Sequence, residues 1–125
     1  MHPVDTPNAP AAIGPYSQAM RSGAHLFVSG QLPIDPATGA FVPGGAVEQM
    51  RQCLANIAAI ATAAGTDISH TVKTTILLTD LGGFADINEE YGKAFSAPFP
   101  ARACFEVSAL PKGAMVEVEA VIELR

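Results

Sequence analysis

The chain has 125 residues, of which 49% are hydrophobic and 15% are charged, a composition that excludes intrinsic disorder and fits one folded domain. A formal net charge of -5, with only seven Lys and Arg residues, argues against a surface for nucleic acid. The N-terminus lacks the basic and apolar regions of a secretory signal, and no run approaches the roughly 20 apolar residues of a membrane span. The two cysteines lie far apart without CxxC spacing, so we expect a reducing, cytoplasmic setting.

The first third of the chain predicts an arm, a hairpin and a long loop. Four prolines in residues 1–15 fix φ and remove backbone donors, so we expect an irregular or extended arm with ordered structure beginning near residue 16. Residues 16–31 then predict two short strands joined by a turn at Ser22-Gly23. Pro and Gly are dense in residues 32–45, which is typical of a loop.

Helix and strand patterns alternate in the next part of the chain. Apolar residues spaced three and four apart predict a helix over residues 46–64, with Gly65 as its stop. The β-branched run at residues 71–79 predicts a central strand. Asp80 is a candidate N-cap for a second helix over residues 81–95, whose aromatic stripe we interpret as core.

The C-terminal residues predict an antiparallel hairpin. Residues 102–109 and 114–124 flank a turn at residues 110–113. That pairing would place polar groups on one side of the hairpin: Arg102, Cys104, Glu106, Ser108, Met115, Glu117 and Glu119. We therefore expect Arg102 and Glu117 to share one face of the sheet.

Together these elements predict an α+β domain spanning residues 1–125 in the order ββαβαββ. Both helices would pack on one face of a mixed sheet, as a two-layer architecture requires. The opposite face would mix apolar and charged side chains: Lys73, Thr75, Leu77, Met115, Glu117, Glu119 and Val121. Such a face indicates burial by another subunit.

The residue types alone favour a structural interpretation of the polar cluster over a catalytic one. A charged cluster on a sheet face is more typical of a solvated or intersubunit ion-pair surface than of a catalytic site. Cys53 and Cys104 lack CxxC spacing, and the three histidines form no pattern. No metal site, redox pair or thiol nucleophile is therefore indicated.

Several segments in collinear order carry a more specific signal. They are Gly-Pro-Tyr-Ser-Gln at 14–18, Ser-Gly-Gln at 29–31, Phe-Ala-Asp-Ile-Asn at 84–88 with Tyr91, Phe-Pro-Ala-Arg-Ala-Cys-Phe-Glu at 99–106, and Leu-Pro-Lys at 110–112 followed by Glu-Val-Glu at 117–119. Over nearly its whole length the chain resembles the RidA (YjgF) family, also described as the L-PSP endoribonuclease family. The resemblance implies a chorismate-mutase-like fold and a homotrimer with three clefts at subunit interfaces.

The same resemblance assigns roles to particular residues. Arg102 would bind the substrate carboxylate, for which a planar guanidinium is suited, and Glu117 would activate water and relay protons. The structural alternatives are an ion pair of Arg102 with Glu106 or Glu119, and a merely solvated Glu117. Other positions would line or close the cleft without covalent chemistry: Tyr16, Ser29, Gly30, Cys104 and Asn88.

The implied activity is that of a 2-iminobutanoate/2-iminopropanoate deaminase. It would hydrolyse enamines and imines such as 2-aminoacrylate and 2-aminocrotonate to 2-oxo acids and ammonia, without a metal or organic cofactor. An endoribonuclease or translation inhibitor is the alternative, which net acidity and the absence of paired catalytic histidines disfavour. A third possibility is a trimer that binds carboxylate metabolites without turnover, although Arg102 together with Glu117 favours catalysis.

Overall fold

In the computed structural model, which describes residues 1–125, the elements follow the order βββαβαββ. The strands are β1 (His2–Val4), β2 (Ala19–Ser22), β3 (His25–Gln31), β4 (Thr71–Leu78), β5 (Ala101–Glu106) and β6 (Val116–Glu123). The helices are α1 (Ala46–Ala63) and α2 (Phe84–Gly92). The α+β class expected from the sequence is confirmed, with one additional strand at the N-terminus.

Helix α1 forms where the apolar spacing predicts it. At its start the Gly45 backbone N–H donates to Glu48 Oε1 at 2.7 Å, which satisfies one of the free donors of the first turn. Gly65, at φ 84°, follows its last turn. The buried face consists of Gln49, Met50, Cys53, Leu54, Asn56, Ile57, Ile60 and Ala61.

Helix α2 is shorter than predicted. Asp80 caps not the helix itself but a 3-10 turn, Leu81–Gly83, by accepting a hydrogen bond from the Gly82 N–H at 2.7 Å. The α-helical part then ends at Gly92. The aromatic and apolar spacing is continuous through the turn and the helix, so the pattern could not mark where one changes into the other.

The six strands form one mixed sheet in the order β1-β2-β3-β6-β4-β5. Strand β6 is antiparallel to both β3 and β4, whereas β5 runs parallel to β4 at the sheet edge. The predicted C-terminal hairpin is therefore wrong, because β4 separates β5 from β6. Strand β6 lies between two strands and under the helix layer, and every second side chain of it is buried. The buried residues are Val116, Val118, Ala120 and Ile122.

The N-terminal arm is more ordered than its proline content predicts. Strand β1 pairs antiparallel with β2, with Pro3 opposite Met20, so ordered structure begins well before residue 16. Proline is tolerated there because β1 is an edge strand. Residues 5–18 form no strand, as expected for this part of the arm. The hairpin of β2 and β3, with its turn at Gly23 (φ 58°), is confirmed.

The buried Gln18 side chain fixes the irregular part of the arm. Its Oε1 accepts a hydrogen bond from the Thr6 N–H at 2.7 Å. Its Nε2 donates to the carbonyl oxygens of Thr6 at 3.0 Å and Pro10 at 2.8 Å. The arm is thereby held against the start of β2, in a position to form one wall of a cleft.

The helices cover only one face of the sheet, as predicted. On the uncovered face Leu77 lies opposite Glu117, and Thr75 lies opposite Glu119. Large apolar side chains remain exposed there or beside it: Phe27 (49%), Phe105 (55%) and Met115 (41%). Neither helix is long and apolar enough to cross a membrane.

Candidate active site

A cleft of about 640 Å³ opens where the N-terminal arm meets β3 and β6. Its walls come from the arm, the two strands and the loop before β6: Pro10, Ala11, Ile13, Tyr16, Gln18, Ser29, Gly30, Gln31, Leu32, Ile34, Pro111, Lys112, Glu117 and Glu119. A volume of this size suits a small organic ligand. Of the residues predicted for the site, the cleft brings together Tyr16, Ser29, Gly30 and Glu117.

A β-bulge shapes the strand wall of this cleft. Val28 lies opposite Ala120 and Gln31 lies opposite Val118, so β3 has one extra residue between these pairs. A bulge of this kind bends a strand and redirects its side chains. The Ser29 hydroxyl donates to the Ser17 carbonyl oxygen at 2.5 Å, which ties the bulge to the arm. Ser29 therefore acts on the shape of the cleft through the arm.

Gly30 lies directly against the carboxyl group of Glu117. A Cβ atom at position 30 would lie 2.6 Å from Glu117 Oε2 and 2.9 Å from Glu117 Cδ. Contacts this short do not occur between such atoms, so any side chain at this position would displace the carboxyl. Glycine is needed here for space and not for its freedom in φ.

The carboxyl of Glu117 is partly buried and close to a like charge. Burial is the larger cause that raises the pKa of Glu117, and the charge of Glu119 raises it further. The two residues are two apart on β6 and so project from the same face. A carboxyl with a raised pKa exchanges a proton nearer neutral pH than an exposed one does, which suits a general acid–base group.

Arg102 lies on the other face of the same sheet. It is opposite Thr74 on β4, and Thr74 is in turn opposite Ala120 on β6, on the side covered by the helices. Glu117 is opposite Leu77 on the uncovered side. The predicted placement of Arg102 and Glu117 on one face is therefore wrong, because it assumed that the last two strands pair directly.

Two aromatic rings and an amide hold the Arg102 side chain. Its Cζ lies 5.4 Å from the centroid of Phe84 and 5.1 Å from that of Tyr91, both contributed by α2. Its Nη1 donates to Asn88 Oδ1 at 2.5 Å. The Tyr91 hydroxyl is itself 2.6 Å from Thr74 Oγ1, which fixes the ring. A pocket of about 470 Å³ beside the guanidinium includes Asn88, Tyr91 and Arg102 in its lining.

No carboxylate neutralises Arg102. The three ion pairs of the structure are Arg51 with Glu90, Lys93 with Glu90, and Arg125 with Asp67. The structural alternatives for Arg102 are thus absent, and Glu106 instead accepts a hydrogen bond from the Leu81 N–H at 2.9 Å. The remaining donors of the guanidinium are free to bind an anion.

Cys104 lies two residues beyond Arg102 on the same side of β5, opposite Ile76. Burial raises the pKa of its thiol, and the nearby Arg102 charge only partly offsets this. A thiol with a raised pKa is protonated at neutral pH and is a poor nucleophile. It lines neither the cleft nor the Arg102 pocket.

Sequence reasoning missed several residues of the two pockets. Phe84 and Tyr91 were interpreted as core, yet both also face the Arg102 guanidinium. Their spacing with Asn88, at positions 84, 88 and 91, places all three on one side of a helix and could have indicated this. Lys112 belongs to the Leu-Pro-Lys segment that carries the resemblance, but the segment assigned it no place in the site, because a lysine does not by itself indicate the turn conformation found there.

Comparison with known proteins places the chain among relatives along nearly its whole length. The family profile described as Endoribonuclease L-PSP matches residues 6–124. A RutC family protein of Sinorhizobium fredii is 68% identical over 99% of this chain and 98% of its own. The 2-iminobutanoate/2-iminopropanoate deaminase of Capra hircus is 51% identical over 94% of this chain and 86% of its own.

A solved structure agrees with these sequence matches. The crystal structure of RidA from an Antarctic Psychrobacter superposes with a TM-score of 0.95 at 43% identity, covering 99% of this chain and 100% of that one. The fold implied by the sequence resemblance is confirmed. The chain belongs to the RidA (YjgF) family, the family of the Endoribonuclease L-PSP profile.

Proposed function

We propose that the protein hydrolyses small 2-imino acids and their enamine tautomers to 2-oxo acids and ammonia. The observation that carries this proposal is the Glu117 carboxyl, which packs closely against Gly30 in a cleft of about 640 Å³. This carboxyl is partly buried, and its pKa is raised. The 51% identity to a protein named as a 2-iminobutanoate/2-iminopropanoate deaminase supports the same reaction.

The proposed mechanism uses Glu117 as a proton relay. The protonated Glu117 carboxyl first gives its proton to the imine nitrogen, or to the β-carbon of the enamine tautomer, which forms the iminium ion and leaves a carboxylate. As the oxygen of water bonds to the iminium carbon, the C=N π pair moves to nitrogen and the carboxylate takes a proton from the water. The protonated carboxyl then returns that proton to the amino nitrogen of the tetrahedral adduct. The C–N bond breaks, ammonia leaves, and the hydroxyl of the adduct becomes the carbonyl as its proton passes to the carboxylate.

The carboxylate of the substrate needs a cation, and Arg102 is the group with free donors for it. Within one chain the sheet itself separates Arg102 from Glu117. A substrate held by Arg102 of one copy would therefore meet Glu117 of another. We propose a homotrimer with its sites between subunits, in which the uncovered sheet face, with Phe27, Phe105 and Met115, is buried.

Ribonuclease activity, the alternative suggested by the profile description, has less support from the cleft. None of the three histidines, His2, His25 and His70, lines it. Two carboxylates, Glu117 and Glu119, do line it, and they would repel a phosphodiester. An RNA substrate would also have to approach a chain whose net charge is -5.

The proposal is tested by a coupled assay. A pyridoxal-phosphate dehydratase releases 2-aminoacrylate from serine, and 2-oxo acid formation is followed with and without the purified protein. The protein should accelerate hydrolysis above the spontaneous rate, and Glu117→Gln should lower kcat by on the order of 10²-fold to 10⁴-fold with the oligomer intact. Glu89→Gln, an exposed position of α2 outside the cleft and outside the Arg102 pocket, is the matched control and should behave as wild type.

Two results would contradict the proposal. Full activity of Glu117→Gln would show that Glu117 does not act as the proton relay. No acceleration by the wild type, together with calorimetric binding of 2-oxobutanoate, would leave carboxylate binding without turnover as the function.

A further inference from the structure

We propose that Lys112 draws the anionic substrate into the cleft and so sets a preference for carboxylates over neutral imines. This inference rests on the proposed function, because it concerns how the substrate of the same cleft is captured. Lys112 lies in the cleft wall, on the loop before β6.

The backbone at Lys112 shows that this lysine is held at some cost. It is the only residue other than glycine with a positive φ, at φ 59° and ψ 21°. An L-residue with a Cβ atom is disfavoured in this region, whereas Gly or Asn adopts it readily. Pro111 precedes it and Gly113, at φ 73°, follows, so a turn fixes the conformation. A disfavoured lysine at a cleft points to a use for its side chain.

The charges of the cleft indicate what that use is. Among the lining residues Lys112 is the only cation, and it stands with two carboxylates, Glu117 and Glu119. Without it, the walls that this chain contributes would present only negative charge to an approaching carboxylate, and Arg102 of the neighbouring copy would be the one attracting group left in the proposed cleft. Lys112 belongs to none of the three ion pairs, so its charge is not neutralised within the chain. A free cation at a concave site raises the local concentration of anions and their rate of entry.

The effect of Lys112 should be confined to capture. The pKa of Glu117 is raised by burial and by Glu119, and Lys112 is not among the groups that shift it. Its exposed side chain therefore acts on the incoming ligand and not on the proton relay. Removal of its charge should lower kcat/KM while kcat and its pH profile stay as in the wild type.

The test compares Lys112→Asn with Lys112→Arg in the full-length oligomer. Asn removes the charge but tolerates a positive φ, and Arg keeps the charge. With 2-aminoacrylate at low salt, Lys112→Asn should lose roughly 3-fold to 10-fold in kcat/KM, which is at or below the lower end of the range for electrostatic steering because a single charge is removed. The kcat/KM of the wild type and of Lys112→Arg should fall as salt is raised, and that of Lys112→Asn should fall less steeply, because only Arg102 of the neighbouring copy then attracts the anion.

A binding experiment separates failure of this inference from failure of the proposed function. Calorimetry with 2-oxobutanoate and with its neutral amide should show that Lys112→Asn weakens only the anion. If the wild type is active, the inference alone is overturned by either of two results. In the first, the kcat/KM of Lys112→Asn equals that of the wild type. In the second, its kcat falls while its salt dependence is as steep as that of the wild type. If the wild type is inactive yet binds the anion, the proposed function fails, and the inference stands or falls on whether Lys112→Asn weakens that binding. If the wild type neither turns over the imine nor binds the anion, both are wrong.

Discussion

Two impaired variants should restore activity when they are mixed, because Arg102 and Glu117 lie on opposite faces of one sheet. Arg102→Ala removes the cation and leaves Glu117 intact, whereas Glu117→Gln removes the proposed proton relay and leaves Arg102 intact. If each cleft takes Arg102 from one copy and Glu117 from its neighbour, a mixed oligomer contains clefts in which both groups are present.

The expected recovery follows from counting. With equal amounts and random assembly, each of the two groups at a cleft is intact with a probability of one half, so about one quarter of the clefts are complete, whatever the number of copies in the ring. The unmixed Glu117→Gln background is lower by on the order of 10²-fold or more. About one quarter of the wild-type kcat/KM per cleft would therefore be well above Glu117→Gln, and about 2.5-fold to 25-fold above an Arg102→Ala that loses roughly 10-fold to 100-fold.

The assay needs exchange of subunits, by coexpression with two different tags or by unfolding and refolding the mixture. The control mixes wild type with the double variant Arg102→Ala/Glu117→Gln. Clefts between copies again predict about one quarter of wild-type activity, whereas a site within one chain predicts about one half. No recovery in the first mixture and one half in the second would refute a site shared between copies.

Three further outcomes test single residues. Arg102→Ala loses charge-assisted hydrogen bonds worth about 1.5–3 kcal/mol, so calorimetry should show 2-oxobutanoate binding weakened roughly 10-fold to 100-fold or more. If the variant binds with the affinity of the wild type, Arg102 does not hold the carboxylate. Cys104→Ser should keep much of the proposed deaminase activity, because the raised pKa of the thiol makes a covalent step unfavourable. Complete loss of activity in an intact oligomer would instead indicate that Cys104 acts as a nucleophile. Gly30→Ala should lower kcat more than it alters the melting temperature, since its Cβ would lie 2.6 Å from Glu117 Oε2, and an unchanged kcat would show that the carboxyl position is not critical.

Local sequence patterns predicted the local structure well. The spacing of apolar residues located α1 almost to the residue, and the β-branched run located β4. The pairing of strands was the part that failed. Alternation along β5 and β6 is the same whichever strand lies beside them, so it cannot distinguish a hairpin from a parallel edge strand beside β4. That one error also placed Arg102 on the wrong face.

The candidate site was predictable in its residues but not in its arrangement. The resemblance named Tyr16, Ser29, Gly30 and Glu117, which meet in one cleft, and also Arg102, which does not join them within the chain. Motifs record which residues a family uses, whereas their distribution over two faces depends on the strand order. Local patterns could not supply that order.

The raised pKa of Glu117 also predicts how a functional residue affects stability. In the unfolded chain a Glu titrates near about 4.3, and in the folded chain burial and Glu119 raise the pKa. The folded state therefore binds this proton more tightly, and that stabilisation is complete below the unfolded pKa and is lost as the pH rises through the folded pKa. At neutral pH the ionised carboxyl is under a penalty that a neutral amide does not share.

Glu117→Gln should accordingly melt at a higher temperature than the wild type at pH 7, and the difference should shrink as the pH falls towards about 4. Glu89→Gln, exposed on α2 away from the uncovered sheet face, provides the control for a simple change of net charge. The measurement is thermal unfolding of all three proteins at equal concentration across this pH range. A Glu117→Gln that is less stable than wild type at pH 7, or a difference that does not change with pH, would mean that the carboxyl is not desolvated, and the proton relay would lose its physical basis.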